Sequence, residues 1–436
     1  MKPRTLRVMI DQQEVGTLME SGAVWRFDYA DSWLDHPMSF DLSPHLPRQA
    51  RSITDGASLR PVQWYFDNLL PEENARVLMA KDARLDSADA FGLLRHYGAE
   101  SAGSITLLPL GVEPVLGGEL KPLSFRRLQT RIDRLPQVPL SHGASKRMSL
   151  AGAQHKLAVV LQDGNLFEPT GAQPSTHILK PNHPDGDYPH SAINEWFTMR
   201  LAKRMDLDVP NVHRLYVPTP VYVVDRFDRA VVGGTVVRRH AIDCCQLLGI
   251  DRSFKYAEGS MENLAKAANA CRSPALVRPK LFSWLLFNML VGNSDSHLKN
   301  ISFLVSDEGV QLAPFYDLLC IGVYDSPAYD KNRWPDLTEL AWPLGRISRF
   351  SKVNASVLTK AGAALGLGEQ ITHRIVQTLC KRIVEQAQAL YTEVEQVNAA
   401  ILTTKPELAS TFAGELRCLR AIIHGVIQPM AAAQSQ

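Results

Sequence analysis

The sequence predicts an α+β protein, with sheet-forming stretches concentrated in its first half and helices dominating the rest. Three observations carry this. Short runs of alternating apolar and polar residues recur up to about residue 240. Apolar stripes of helical period take over from about residue 260, and one wholly apolar helix breaks into a turn crowded with polar side chains. The expected architecture is two lobes: a sheet-rich lobe carrying an accessory N-terminal subdomain, then an all-helical lobe.

Composition bounds the possibilities. The 436 residues allow about three units of ordinary domain size. With 45% hydrophobic and 21% charged residues the chain is globular, not disordered. A net charge of +2 is too balanced to imply nucleic-acid binding by bulk electrostatics, although a local basic patch stays open. No apolar run reaches about 18 residues, and Met1-Lys-Pro-Arg-Thr-Leu-Arg-Val8 lacks a signal-peptide core. A soluble cytoplasmic protein with no membrane partner is expected. The cysteines (Cys244, Cys245, Cys271, Cys320, Cys380, Cys418) form no C-x-x-C pair and no zinc spacing, so buried free thiols are expected.

Residues 1–145 open with a strand carrying Leu6, Val8 and Ile10, a turn at 11–14 and a second strand, which makes a hairpin. Further strands are expected at 25–29 and 39–42. Helices come next: Pro61 starts one whose stripe is Val62, Tyr65, Phe66, Leu69 and Leu70. Pro71-Glu-Glu starts the next and Ser87 a third, before a strand at 105–108. The aromatic run 64–66 reads as core, and the glycines at 98–103 as a turn without the pattern of a phosphate loop. Residues 111–146 lack periodicity and read as a connection.

Residues 146–243 read as a nucleotide-side lobe. Ser149-Leu-Ala-Gly-Ala-Gln-His-Lys156 precedes an alternating strand at 157–161, and small residues there let backbone N–H groups approach an anion. Only one glycine stands in that loop. Lys180 closes an apolar strand, where a kinase carries the lysine that meets nucleotide phosphates, although a strand-end lysine is also an ordinary solvated residue. After a loop at 183–190, a helix over 192–205 carries Glu195 in its first turn, either as that lysine's ion-pair partner or as a plain surface acid. Strands at 212–217, 221–225 and 236–240 lead to Ile242-Asp-Cys-Cys-Gln246, where the chain should cross between lobes.

Residues 244–436 carry the remaining helices. The apolar helix 281–291 ends at Gly292 and delivers Asn293-Ser-Asp-Ser-His-Leu-Lys-Asn300, polar groups too costly to bury without partners. Asp295 and Asn300 keep the D-x-x-x-x-N spacing of a kinase catalytic loop, and Asp317 comes after a short strand at 301–305, the order in which a kinase sets base, metal asparagine and metal acid. D-x-x-x-x-N alone also suits a solvated turn. The stripe from Ile371 to Ile401 makes one long helix or a broken pair, and residues 430–436 should fray.

Assembled, these pieces resemble the HipA family of serine/threonine kinases, the toxin components of HipBA toxin–antitoxin modules. The likeness spans nearly the whole chain, including 61–72 and 92–103. It rests on the motifs 149–156, 177–180, Asn194-Glu195, Asp225-Arg-Phe-Asp-Arg229, 291–300 and Ala313-Pro-Phe-Tyr-Asp-Leu318 in the family's order. It implies a two-lobed protein-kinase-like fold using ATP and Mg²⁺. By position, Asp295 would deprotonate the acceptor hydroxyl, with His297 and Lys299 beside the transferring phosphoryl group. Asn300 and Asp317 would hold Mg²⁺. Ser149, Gly152, Ala153, Gln154, Lys156 and Lys180 would face the nucleotide phosphates, Glu195 would pair with Lys180, and Asp243 and Cys244 would lie at the adenine.

In the family the serine equivalent to Ser149 is autophosphorylated, which silences the enzyme. The resemblance further implies an aminoacyl-tRNA synthetase as substrate, most often the glutamyl enzyme, met here through residues 183–190. It also implies a helix-turn-helix antitoxin of the HipB type, and DNA reached mainly through that antitoxin. Two departures stand out: Ile242 where an acidic residue is usual, and Lys255-Tyr-Ala-Glu-Gly-Ser260 where Gly-Gly-Pro is usual. Two rival readings remain, a small-molecule kinase of the same fold and a silent ATP-binding scaffold.

Overall fold

The computed structural model describes residues 3–152 and 154–434. The chain gathers into two compact units, neither continuous in sequence. One comprises Met1–Pro181, Val223–Lys255 and Ser302–Ala313; the other comprises Asn182–Tyr222, Tyr256–Ile301 and Pro314–Gln436.

The first unit starts from a five-stranded antiparallel sheet, in the order Ser52–Thr54, Val24–Tyr29, Gln13–Ser21, Arg4–Ile10, Ile105–Pro109. Leu6, Val8, Leu18 and Phe27 of its inner face are fully buried against the helices Pro61–Asp67 and Ala90–Tyr97. Edge-on aromatic contacts tie sheet to helices, as between Trp25 and Phe91 at 5.2 Å. Asp55 accepts from Val62 N and Gln63 N at 2.8 and 3.0 Å, satisfying orphan donors at the first turn of the Pro61 helix.

A second sheet in this unit runs Leu120–Pro122, Asn165–Pro169, Leu157–Gln162, His177–Pro181. Asp163 and Gly164, both at positive φ, make the two-residue turn of its central hairpin. A third sheet runs Ala241–Asp243, Ser302–Ser306, Gly309–Leu312. Buried beside these strands is an ion network. Arg226 donates to Asp228 at 2.6 and 2.9 Å and to Ser175 at 2.9 Å, while Glu100 meets Arg229 at 3.2 Å and Lys146 at 2.8 Å. Burial alone would raise the Glu100 carboxyl, but Lys146, Arg226 and Arg229 overcome it and hold the group below the ordinary range.

The second unit is built on helices: Ser191–Arg204, Met261–Ala270, Pro274–Leu290, Ala355–Ala364, Glu369–Leu402 and Ala409–Ala421. The Pro274–Leu290 helix is apolar because it is enclosed on every side from Leu281 onward except at Ser283; Trp284, Leu286 and Phe287 are fully buried. All six cysteines of the chain are buried and unbridged. Among the described residues no helix is long and apolar enough to cross a membrane.

Several local expectations are corrected. Residues 39–42 form no strand: Phe40 O accepts from Trp33 Nε1, Asp41 from Arg48 N, and Leu42 N donates to the Tyr29 hydroxyl, so side chains take the bonds a ladder would supply. Within the expected connection 111–146 lie the strand Leu120–Pro122 and the helix Phe125–Ile132, capped by Ser124. One buried residue, Leu128, anchors that helix, too little to show as a period. Of the two readings for 371–401, the one long helix is what forms, Glu369–Leu402. Residues 430–434, expected to fray, are helical, with Met430 buried and Gln434 Nε2 donating to Val353 O at 3.0 Å. The second unit also holds a hairpin, Glu339–Leu344 with Ile347–Arg349, which no pattern announced.

Candidate active site

The catalytic-loop candidates all lie in the second unit. The helix Pro274–Leu290 ends because Gly292, at φ 67°, takes the left-handed conformation that glycine adopts without cost. A Cβ there would stand 2.8 Å from Trp334 and from Val426, so the turn also needs a bare backbone. The chain then passes through Asn293, whose side chain organises the loop. Its Oδ1 accepts from Asp295 N at 3.1 Å, and its Nδ2 donates to Asn288 Oδ1 at 2.7 Å and reaches Asp317 O at 3.5 Å.

Asp295 stands half-buried after this anchor. Its carbonyl accepts from Asn300 Nδ2 at 2.9 Å and from His297 N at 2.8 Å, so the residues at both ends of D-x-x-x-x-N are joined directly. That bond commits the nitrogen of the Asn300 amide to the loop. Trp342 Nε1 donates to Ser296 O. Tyr316 donates through its hydroxyl to Lys299 O at 2.7 Å, tying the loop to the residue before Asp317. His297, Lys299 and Asn300 are all buried. The Tyr256 hydroxyl donates to Asp295 Oδ1, and its ring stands edge-on to the His297 imidazole at 5.0 Å.

Asp317 sits at φ 59°, in the left-handed region that a non-glycine residue occupies at a cost of order 1–3 kcal/mol. The chain just beyond it is clamped. Asn194, fully buried in the helix Ser191–Arg204, donates to Cys320 O at 2.8 Å and accepts from Cys320 N at 2.8 Å. Glu195 is the next residue of that helix and is buried. The loop 183–190 is held by Asn182 Oδ1, which accepts from Ala192 N at 2.9 Å, and by Ser191 Oγ, which accepts from His183 N at 2.7 Å. Burial raises the Tyr188 phenol of this loop; Lys331 pulls it down, and Asp185, Asp187 and Asp295 add to the rise.

The phosphate-side candidates lie in the first unit. The strands Leu157–Gln162 and His177–Pro181 pair antiparallel with Leu157 opposite Leu179, which places Lys156 and Lys180 at the same end of the ladder. Lys156 Nζ donates to Ala151 O at 2.5 Å and lies 2.6 Å from where a Cβ on Gly152 would be, at φ 104°. The φ of Gly152 is one that a side chain would strain and that glycine adopts freely. Pro71 and Gly152 form a parallel bridge, with Glu72 N donating to Gly152 O at 3.3 Å. Ser149, 0% exposed, donates from N to Glu100 O at 2.7 Å and from Oγ to Leu69 O at 2.5 Å. Gly152, Gln154 and Lys156 line a small cleft with Met79, Leu140 and Met148. Ala153 lies outside the described residues.

The hinge candidates have structural work. Asp243 caps the helix Cys244–Leu248 through a reciprocal pair: Asp243 Oδ1 accepts from Gln246 N at 2.8 Å, and Gln246 Oε1 accepts from Asp243 N at 2.9 Å. Cys244, in the first turn of that helix, is 0% exposed.

Sequence reasoning did not see the parts played by Asn293, Asn194, Tyr316 and Tyr256. A signal existed for two of them, since Asn293 and Asn194 are amides within buried apolar surroundings, where an unpaired polar group is too costly to persist.

By chemistry the side chains suit a hard divalent cation: a carboxylate on Asp317 and an amide on Asn300, which anchors its loop through the nitrogen. A D-x-x-x-x-N loop followed by a second acid, and preceded in the chain by a lysine near the end of a strand, is the arrangement of the protein kinases. A HipA-like C-terminal domain matches residues 148–387, and a HipA N-terminal domain matches residues 6–108. The serine/threonine-protein kinase toxin HipA of Shewanella oneidensis is 31% identical over 344 residues, covering 74% of this chain and 77% of its own. A candidate kinase of Sinorhizobium fredii is 33% identical over 445 residues, covering 97% of this chain and 100% of its own. The solved structure of Shewanella oneidensis HipA with HipB and operator DNA matches with a TM-score of 0.74 at 26% identity, covering 98% of this chain and 100% of that one. The chain belongs to the HipA family of serine/threonine kinases.

Proposed function

We propose that this chain transfers the γ-phosphoryl group of ATP to a serine or threonine hydroxyl of another protein, as the toxin of a toxin–antitoxin pair. The observation that carries the reading is the bond from Asn300 Nδ2 to Asp295 O, which makes D-x-x-x-x-N one rigid piece instead of a solvated turn. Asp295 accepts the proton of the acceptor hydroxyl, and His297 and Lys299 stand by the transferring group. Asn300 and Asp317 hold Mg²⁺, which neutralises charge on the phosphates when bound. Lys180 and Lys156 receive the phosphates together with the loop 149–154, and Glu195 pairs with Lys180.

Ser149 is the site of self-phosphorylation. Adding about two negative charges to a serine with no exposed surface must force its loop out. The protein substrate is an aminoacyl-tRNA synthetase, with the glutamyl enzyme first to be tried, met through residues 183–190. The neutralising partner is a small helix-turn-helix antitoxin of the kind named with the Shewanella structure, through which the chain reaches operator DNA.

Mass spectrometry after incubation with ATP and Mg²⁺ tests this. Phosphate on Ser149 in the wild type and not in Asp295→Ala is the expected result, and its absence from the wild type rejects self-phosphorylation. Induced expression of wild type and Asp317→Ala at equal levels tests toxicity: only the wild type should arrest growth.

A further inference from the structure

We propose that Tyr256 is a positioning residue for the catalytic base. The inference rests on Asp295 being that base, and it adds a part that the kinase motifs do not contain.

A carboxylate on two rotatable bonds must present an oxygen to the incoming hydroxyl, and each torsion left free lowers the fraction of time it does so. Tyr256 removes that freedom by donating its hydroxyl to Asp295 Oδ1. The same ring stands edge-on to His297, 82° between planes, so a single side chain meets two residues of the loop.

The segment bearing Tyr256 is built to hold it still. Gly259 N donates back to Tyr256 O at 2.9 Å, closing a turn. A Cβ on Gly259 would lie 2.6 Å from Ala341 O, so the turn rests directly on the strand Glu339–Leu344 and only glycine permits it. Asn263 Nδ2 donates to Glu258 O at 2.9 Å and to its carboxylate at 3.0 Å. Ser260 caps the next helix, accepting from Asn263 N at 3.2 Å. A single glycine thus stands where the family usually has Gly-Gly-Pro. Tyr256 is nonetheless 45% exposed. A large ring left half in water on so tightly tied a turn is accounted for by what its hydroxyl holds.

The test is self-phosphorylation by the purified full chain, followed with γ-labelled ATP and Mg²⁺ over a range of ATP concentrations. Tyr256→Phe keeps the ring against His297 and loses only the hydroxyl. It should lower the maximal rate about 10-fold or more, since hydrogen bonds to charged groups carry effects of that order, with the half-saturating ATP within about twofold and the melting temperature unchanged. Tyr256→Ala should be no better than Tyr256→Phe. If Phe restores the wild-type rate that Ala loses, the ring's packing is what matters and the inference fails. If Phe raises the rate, the phenol blocks the acceptor's seat and the inference also fails. Asp295→Ala separates the two layers: label incorporation by that variant overturns the base assignment itself, whereas a dead Asp295→Ala beside a fully active Tyr256→Phe overturns only the part given to Tyr256.

Discussion

Ser149 Oγ donates to Leu69 O at 2.5 Å, so the hydroxyl proposed to be phosphorylated is held by the N-terminal subdomain and has no exposed surface. Replacing it separates two effects. Ser149→Ala should cost about 1 kcal/mol, the worth of one hydrogen bond, and leave residues 148–152 resistant to protease. Ser149→Asp puts a charge where none can be solvated. It should expel the loop, seen as rapid cleavage within 148–156 and loss of phosphoryl transfer.

Gly292 should tolerate nothing larger. Gly292→Ala forces a Cβ into Trp334 and Val426 at a positive φ, which should cost roughly 1–3 kcal/mol. Urea unfolding measures the loss. Phosphoryl transfer should fall more steeply than stability predicts, because Asp295 is reached through this turn.

Asn293→Ala should resemble a catalytic lesion although the residue is only 2% exposed. Its amide supports Asp295 N and reaches Asp317 O, so removal loosens both acids together. Expected are a destabilisation of about 2 kcal/mol and a fall in transfer beyond 10-fold. A variant that melts lower but transfers normally contradicts the role given to Asn293.

Glu415 should make stability fall as pH rises. Burial lifts its carboxyl from 4.5 to about 7, although Arg214 stands 3.6 Å away and the Tyr216 hydroxyl donates to it at 2.8 Å. Between these values the unfolded chain releases a proton that the folded chain keeps, so unfolding gains until about pH 7 and the cost is constant above it. The total is about 3 kcal/mol. Glu415→Gln should remove this slope, measured as the wild-type minus variant difference in urea midpoints at pH 5 and pH 8.

Arg226→Met should be among the most damaging changes in the first unit. It leaves Glu100 and Asp228 buried with fewer partners, a loss of roughly 3–5 kcal/mol when a buried pair is broken from one side. Circular dichroism on heating should show it.

The fold class and the elements bearing the acids were legible because they are local. Gly292 after an apolar helix, the spacing from Asp295 to Asn300 and the lysine ending a strand all lie within a few residues. What could not be read is what joins distant segments. Asn293 with Asp317, Tyr256 with Asp295 and Asn194 with Cys320 are pairs that only folding brings together, and no period or spacing encodes them. The helix Phe125–Ile132 escaped because one buried leucine sets no rhythm. The expected strand at 39–42 was misread because its alternation is real, yet Phe40 O and Leu42 N bond to side chains and Ser39 N to a turn carbonyl.

The grip of Asn194 on both backbone groups of Cys320 has a mechanical corollary. The helix carrying that amide begins where the loop 183–190 ends, and its first turn is pinned to the loop through Asn182 and Ser191. A pull on the loop is therefore a pull on a lever whose other arm is fastened to the backbone of Cys320, three residues past Asp317, by one stiff rod.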